Sequence, residues 1–547
     1  MYKAWFHYRA RRNKLAPISR LPPEILLRIL LLHINSYDSH AASTNFPPWI
    51  DITYVCCHWR AVALESAMLW RNVDFSRLSG KWVGAFLVRS QSIPITIVCD
   101  EPKRSSVERL VHHLHHLERL TLVSTQQSDE NAFHDVCVGL PSAPQLRFLA
   151  LSTAYLHALP EDVFRGFTPR LRLLELCNIT GLPLEARLTP HLTTFVIRYT
   201  QSLNTDHSLS LPFDQLFDFS GELPALKSLC LENCVPRRPA QQPTNRSALQ
   251  LRNLKVLILG GERTDCICML NHLVLPHLTT VTILLPNFSG LEGATIFNTV
   301  FAAIPVHLLP DPAMPRYHAK VWHAWGQTAG TPDFHTELRR FSDDGTKNRL
   351  ALGISIETRG RRDLYGALVD QFLEALPAEI RSAHMRKLVL CPSLKIQQLV
   401  RTDWPRMLRE TRELKVLNVH GIIGLLVCKT LADSLVTVAG QPAGDAPPAI
   451  VLPKLSSLVL QDFDFANPFP CIQGRMILYI PMYKGIVKYL RARHQADTPL
   501  DTLRVMGHCS NGKWDWLDEL TDVVGSVVRF DVVEVDPLPA DSLDVEE

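Results

Sequence analysis

Leu117-Glu118-Arg119-Leu120-Thr121-Leu122, Leu146-Arg147-Phe148-Leu149-Ala150-Leu151 and Leu171-Arg172-Leu173-Leu174-Glu175-Leu176 share one grammar, apolar-x-x-apolar-x-apolar. The same grammar returns at 192–197, 226–231, 254–259 and 278–283, and again at 385–390, 414–419, 455–460 and 500–505. The first seven starts lie 29, 25, 21, 34, 28 and 24 residues apart. Alternation over the last four positions makes a short strand with one buried face. The leading apolar residue packs beneath the turn into that strand. One such unit cannot bury its own face, so neighbours must stack. Stretches of helical character, such as 107–117 and 365–376, lie between the strands, and Pro144, Pro169, Pro190, Pro224, Pro276 and Pro453 shortly precede them. Proline there stops a helix and sets the turn into the strand.

Most of these spacings fall in the range of leucine-rich repeats, and the units resemble irregular ones. Cys234, after Leu231-Glu232-Asn233, stands where such repeats often carry Asn or Cys. The expected fold class is α/β: a small N-terminal helical domain, then a solenoid with parallel strands on its concave face and helices outside. A doubly wound sheet also alternates strand and helix, but its strands are usually continuous apolar runs without a fixed leading leucine. The grammar lapses between Leu285 and Arg349, where Pro286, Pro305, Pro310, Pro312, Pro315 and Pro332 crowd with Trp322 and Trp325. That stretch, about 286–348, is expected to be an enlarged connection or an atypical repeat. Alternation at Leu350, Leu352, Ile354 and Ile356 resumes the sheet. Residues 440–449 are expected to form a surface loop, and 527–535 a last strand.

Upstream of the repeats, Ile18-Ser-Arg-Leu-Pro-Pro-Glu-Ile-Leu-Leu27 precedes a polar gap and then Val55-Cys-Cys-His-Trp-Arg-Ala-Val-Ala63 with Leu69-Trp70. Pro22 and Pro23 suit a helix start, where a missing N–H costs nothing, and Glu24 suits the positive end of the helix dipole. Ile25, Ile29 and Leu32 then repeat at helical spacing, widened by Leu26 and Leu30. Ile52, Val55, Cys56, Trp59, Val62 and Ala63 predict a second helix with one apolar face. Periodicity alone gives a small helical hairpin packed on the rest of the protein.

The residue identities add to this. Leu21-Pro22-Pro23-Glu24-Ile25-Leu26, then Val55-Cys56-x-x-Trp59-Arg60-x-Val62-Ala63 and Leu69-Trp70, resemble the F-box of large fungal (basidiomycete-like) families. Cys57 and Ala67 depart from the usual residues, and the gap from Asn35 to Pro48 is long. The resemblance implies docking to the Skp adaptor, and through it a cullin ubiquitin ligase, by Leu21, Pro22, Ile25, Leu26, Val55, Trp59 and Leu69. The expected boundaries are a basic arm 1–17, the F-box-like domain 18–75, the repeats 76–536 and an acidic tail 537–547.

The 547 residues, 46% hydrophobic and 20% charged, supply ample material for a globular core. A formal net charge of +3 is too small to argue for nucleic acid or membrane. The arm carries Lys3, Arg9, Arg11, Arg12 and Lys14 without an acid, a pattern usual for a solvated extension. The N-terminus lacks the apolar core of a signal peptide, and no apolar window is long enough to span a bilayer. Thirteen scattered cysteines fit reduced thiols, hence cytoplasm or nucleus.

Catalytic motifs are sparse. Gly260-Gly261 lacks the rest of a nucleotide fingerprint, and Cys266-Ile-Cys268 has the wrong spacing for a zinc knuckle. His112, His115 and His116 would share a helix face, but Leu110, Leu114 and Leu117 claim the core side of that helix, leaving the histidines to solvent. No catalytic residue, metal or cofactor is expected. Outward strand residues, among them Arg119, Thr121, Phe148, Glu175, Arg198, Lys387, Asn418, Arg504 and Met506, would line a concave binding face, with Arg119, Phe148, Glu175, Arg198, Lys387, Asn418 and Arg504 as candidate contacts to a protein substrate. The resulting expectation is a substrate-recognition subunit of a Skp–cullin–F-box ligase, not itself an enzyme. The alternative is a repeat scaffold unrelated to ubiquitin, with the helical pair as its N-terminal cap. An enzyme with a site near His307, His318, His323 and His335 is the remote rival.

Overall fold

In the computed structural model the described residues lie between Arg11 and Asp531, apart from internal segments of which the longest are 36–46, 182–190, 201–215, 236–247, 286–295, 304–315, 392–403 and 434–449. Most of the basic arm, the loop 440–449, His307 and the acidic tail fall outside them. The protein is mixed α/β, with long, mostly parallel strand arrays and helices between the strands; no barrel closes. It divides into two compact units, Met1–Leu254 and Lys255–Glu547.

The first unit opens with helices α1 (Pro23–Asn35) and α2 (Cys57–Glu65), flanked by 3-10 turns at Pro17–Arg20, Ile50–Tyr54 and Ala67–Trp70. Strand β1 (Asn72–Asp74) follows, then α3 (Gly80–Arg89), β2 (Ile95–Asp100), α4 (Arg104–Val111), β3 (Leu117–Ser124), α5 (Glu130–Gly139) and β4 (Phe148–Ala158). Strands β5 (Leu173–Thr180), β6 (Thr194–Arg198), β7 (Ser228–Glu232) and the short β8 (Leu249–Gln250) complete it. β1 to β7 pair in chain order, every pair parallel.

The register explains the repeated leucines. Leu120, Leu149, Leu174, Phe195 and Leu229 stand side by side across β3–β7, and Leu122, Leu151, Leu176, Ile197 and Leu231 form the next row. Both rows are fully buried, as are the leading residues Leu117, Leu146, Leu171, Leu192 and Leu226. The backbone repeats as well: Arg147 N–H donates to the Glu118 carbonyl, Arg172 to Arg147, Thr193 to Arg172 and Lys227 to Thr193, all within 2.8 Å. Each unit is thereby bonded to its predecessor at the same position of the pattern.

Asn178, within β5, and Asn233, just after β7, take φ of 57° and 56°, a left-handed conformation that Asn tolerates better than most residues. The buried Asn178 amide donates to the Thr153 carbonyl (2.6 Å) and to Thr200 Oγ1 (2.9 Å), and accepts from the Thr200 backbone (2.8 Å). One side chain thus joins three successive segments. Asn233 donates likewise to the Tyr199 carbonyl at 2.7 Å.

The second unit holds β9 (Val256–Gly260), α6 (Arg263–Asn271), the short β10 (Leu273–Val274), β11 (Thr280–Leu285), α7 (Ile296–Ala303), β12 (Arg316–Trp325), β13 (Pro332–Phe341) and β14 (Asn348–Glu357). It continues with α8 (Tyr365–Ala375), β15 (Met385–Cys391), α9 (Trp404–Glu410), β16 (Val416–His420), α10 (Gly421–Asp433), β17 (Ser457–Asp464), a hairpin of β18 (Pro468–Gln473) and β19 (Met476–Pro481), α11 (Met482–Gln495), β20 (Leu500–His508), a short α12 (Asp515–Asp518) and β21 (Val524–Asp531). Its sheet runs β9-β11-β14-β13-β12-β15-β16-β17-β20-β21. Every pair is parallel except the two made by β13.

The eleven leucine patterns all fall on or run into strands: β3 to β7, β9, β11, β15 to β17 and β20. The stretch 286–348 is not an enlarged connection alone; of the two alternatives the sequence left open, its strands favour the atypical repeat. It supplies β12 and β13, which join the sheet in reversed spatial order between β14 and β15. The expected last strand ends at Asp531 among the described residues, and β13 and the β18–β19 hairpin depart from the all-parallel expectation.

Candidate docking surfaces

α1 starts as its sequence demands. Ile25 and Leu26 N–H both reach the Pro22 carbonyl at 3.1 Å, and Glu24 sits in the first turn. The helix is apolar nearly all round. Leu26 and Leu30 are buried, yet Ile25 (46% exposed), Ile29 (38%) and Leu32 (66%) form a second stripe at i, i+4 and i+7 that nothing among the described residues covers. A helix apolar on both faces normally lies inside a protein.

The second expected helix is not continuous. Residues Ile50–Tyr54 form a 3-10 turn in which Thr53 Oγ1 donates to the Ile50 carbonyl at 2.7 Å. Cys56 is extended (φ −161°, ψ 171°), and α2 begins after it. Val55 therefore lies at the break, 54% exposed beside the exposed Tyr54. Val62 and Ala63 face inward, and Trp59 is half-buried with its indole N–H unpartnered.

Seven residues were expected to meet an adaptor. Leu21 is half-buried and Pro22 exposed, and with Ile25, Val55 and Trp59 they remain available. Leu26 and Leu69 are corrected: both are buried within the chain, where they hold the helices down and have no surface to offer. Ile29, Leu32 and Tyr54 are exposed as well. Their signal was present in the sequence, since Ile29 and Leu32 continue the helical spacing from Ile25.

Trp70 has no exposed surface. Its ring meets Trp49 edge-on at 5.1 Å and Phe86 at 4.9 Å, and its N–H donates to the Ala63 carbonyl at 2.8 Å. The helical pair is thus fixed to α3 and the first strands.

On the outward face of the first unit's sheet, the register places Arg119 beside Phe148, and the guanidinium lies 4.2 Å from the ring centroid. Arg198 bridges Glu175 (2.8 Å) and Glu232 (3.1 Å). Partial burial opposes the Arg198 charge, but Glu232, with Cys230 and Glu175, outweighs it and raises the pKa. In the second unit, Asn418 and Arg504 share one sheet row with Val459 between them, while Lys387 lies in the neighbouring row. These three share a face without touching one another. Arg504 is exposed, and Asn418 Oδ1 is buried without a partner.

The histidine cluster also departs from expectation. α4 ends at Val111, so the helix does not carry all three outward. His112 and His115 are exposed, but His116 is buried, with its Nε2 3.2 Å from His113 Nδ1. Burial, then the charge of His115, depresses His116 to about 4, and His113 moves the same way. As pH falls below the ordinary histidine value the unfolded chain takes up a proton that native His116 refuses until about pH 4, so stability is lost across that window, on the order of 3 kcal/mol. A His116→Phe variant should show a shallower fall of melting temperature between pH 7 and 5 than wild type. Equal slopes would contradict the assignment.

Among the described residues no group of three or more His, Cys, Asp or Glu is arranged to hold a metal ion. Burial pushes the thiols of Cys99, Cys137, Cys230 and Cys428 up to about 12, and Cys266 up as well, so none of these five offers a thiolate near neutral pH. No helix among the described residues is long and apolar enough to cross a membrane. The sequence matches no known protein-family model and no curated protein.

Proposed function

We propose that the chain is a substrate-recognition subunit of a Skp–cullin–F-box ubiquitin ligase. The observation that carries this reading is the second apolar stripe of α1, Ile25, Ile29 and Leu32, left open together with the exposed Val55 in the segment that resembles an F-box. Eight of the large apolar residues exposed in the described chain lie between Leu15 and Met68, against six in all the rest. Such concentration marks an interaction surface rather than ordinary surface leucine. The occupant in this reading is the Skp adaptor.

The remaining residues would form leucine-rich repeats presenting a protein substrate. The stacked leucine rows, the repeated backbone bond ahead of each strand, and the left-handed Asn178 and Asn233 support that reading. Catalysis would then be by proximity, holding a substrate lysine near a charged enzyme elsewhere in the complex. Cytoplasm or nucleus is the compartment this implies.

The test is retention of purified Skp adaptor by the full-length chain, wild type against Ile25→Asp plus Val55→Asp. Both positions are about half exposed, so the melting temperature should hold while retention falls by about tenfold or more. Correctly folded wild type that retains no adaptor would sink the proposal.

The cap reading keeps one specific support, the burial of Trp70 between Trp49 and Phe86. A chain lacking residues 1–75 that unfolds, together with a wild type that never binds adaptor, would favour it.

A further inference from the structure

α11 carries Lys484, Lys488, Arg491 and Gln495 at i, i+4, i+7 and i+11, one exposed face of the helix. They form one wall of a groove of about 660 Å³ whose other lining includes Tyr483, Trp516 and Glu519. The aromatic side is ordered: Tyr483 stacks on Trp516 (5.7 Å, 22°), and Trp514 stacks on Trp516 from its other neighbour position (6.2 Å, 25°). Phe465 packs against the pair at 5.6 Å from Trp516. Trp516 is buried, and its indole N–H has no hydrogen-bond partner.

The cations are not equivalent. Arg491 is neutralised by Glu519 at 2.6 Å. Lys484 and Lys488 have no ion-pair partner among the described residues, and as i, i+4 neighbours on one helix face their Cβ atoms lie about 5–6 Å apart. Carboxylates on alternate residues of an extended peptide point the same way at about 6.6–6.8 Å, a spacing that two flexible lysine stems rooted one turn apart can follow. A residue between them would face the aromatic side.

We propose that this groove binds an extended acidic segment of a partner protein, with Asp or Glu at alternate positions on Lys484 and Lys488. A nucleic-acid strand fits less well. Its affinity grows with the number of phosphates neutralised, and here two free lysines stand beside the Glu519 carboxylate. The site is independent of adaptor docking, being confined to the second unit.

The test uses the full-length chain and a fluorescein-labelled peptide of about ten residues with glutamate at alternate positions around one leucine, followed by anisotropy. Saturable binding is expected, about tenfold or more weaker for the glutamine analogue and for Lys484→Glu plus Lys488→Glu, with the variant's melting temperature unchanged. The proposal is overturned if the glutamine peptide or the double variant matches the parent, if an oligouridylate of equal length binds more tightly than the peptide, or if no binding appears by about 1 mM.

Discussion

An Arg493→Ala chain is expected to lose about 3–5 kcal/mol of stability, far more than any exposed arginine of the same helix. Arg493 is almost fully buried on α11, and no carboxylate among the described residues pairs with it. Backbone carbonyls balance the charge instead. Nη1 donates to Leu452 O at 2.6 Å and to Tyr489 Oη at 3.3 Å, and Nη2 donates to Leu455 O at 2.8 Å. Tyr489 in turn donates to Val451 O at 2.9 Å. The carbonyls belong to the turn before β17, where Leu452 takes φ 57°, a conformation unfavourable for leucine by about 1–2 kcal/mol. The guanidinium therefore holds a turn that its own residues disfavour. Removal leaves the Leu455 carbonyl unsatisfied, at about 1–3 kcal/mol, the Leu452 carbonyl with only the Leu455 N–H at 3.1 Å, and a cavity besides. Urea unfolding of Arg493→Ala beside Arg491→Ala measures the difference. Arg491 is exposed and paired with Glu519, so its loss should cost under about 1 kcal/mol. Equal costs would refute the account.

Trp70→Ala should rank next, at about 3–5 kcal/mol for a buried tryptophan with nothing to fill its place. The ring touches Trp49 and Phe86, and the Arg89 guanidinium lies 4.5 Å from its centroid. Trp70→Phe keeps most of the packing and loses the bond to Ala63, so about 1–2 kcal/mol is expected. The contrast with Ile25 is informative. A change at Trp70 should lower the melting temperature and weaken adaptor retention only as unfolded chain accumulates. A change at Ile25 should reduce retention at constant melting temperature. Thermal melts run beside the adaptor assay separate support from contact.

Much of the architecture was legible because burial writes itself into period. A leading leucine with two alternating apolar residues can satisfy only a strand that stacks on like strands, and each such pattern meets one. β12 and β13 were illegible for the same reason. Among the described residues their buried side chains are Tyr317, Ala319, Thr336 and Leu338, and Ala319 and Thr336 are small or polar. Pro332 also stands at the head of β13, the one strand position where its missing N–H is harmless. At the candidate site, spacing identifies α1 but does not say which of its two apolar stripes faces inward, and the resemblance that sets Leu26 against an adaptor takes a residue from the buried stripe. Arg493 was hidden by its type. It occupies an inward position of α11, in step with Ile486 and Leu490, where sequence reasoning places aliphatic residues.

The reversed order β14-β13-β12 has a consequence for how such a sheet can grow. β12 and β14 run in the same direction because the antiparallel β13 lies between them. Excising β12 and β13 together would leave β14 beside β11 and present β15 with an edge of unchanged polarity. Entering as a hairpin, the two strands leave the chain running in its original direction, so β14 and β15 keep the polarity of the parallel array on either side of the segment 316–341.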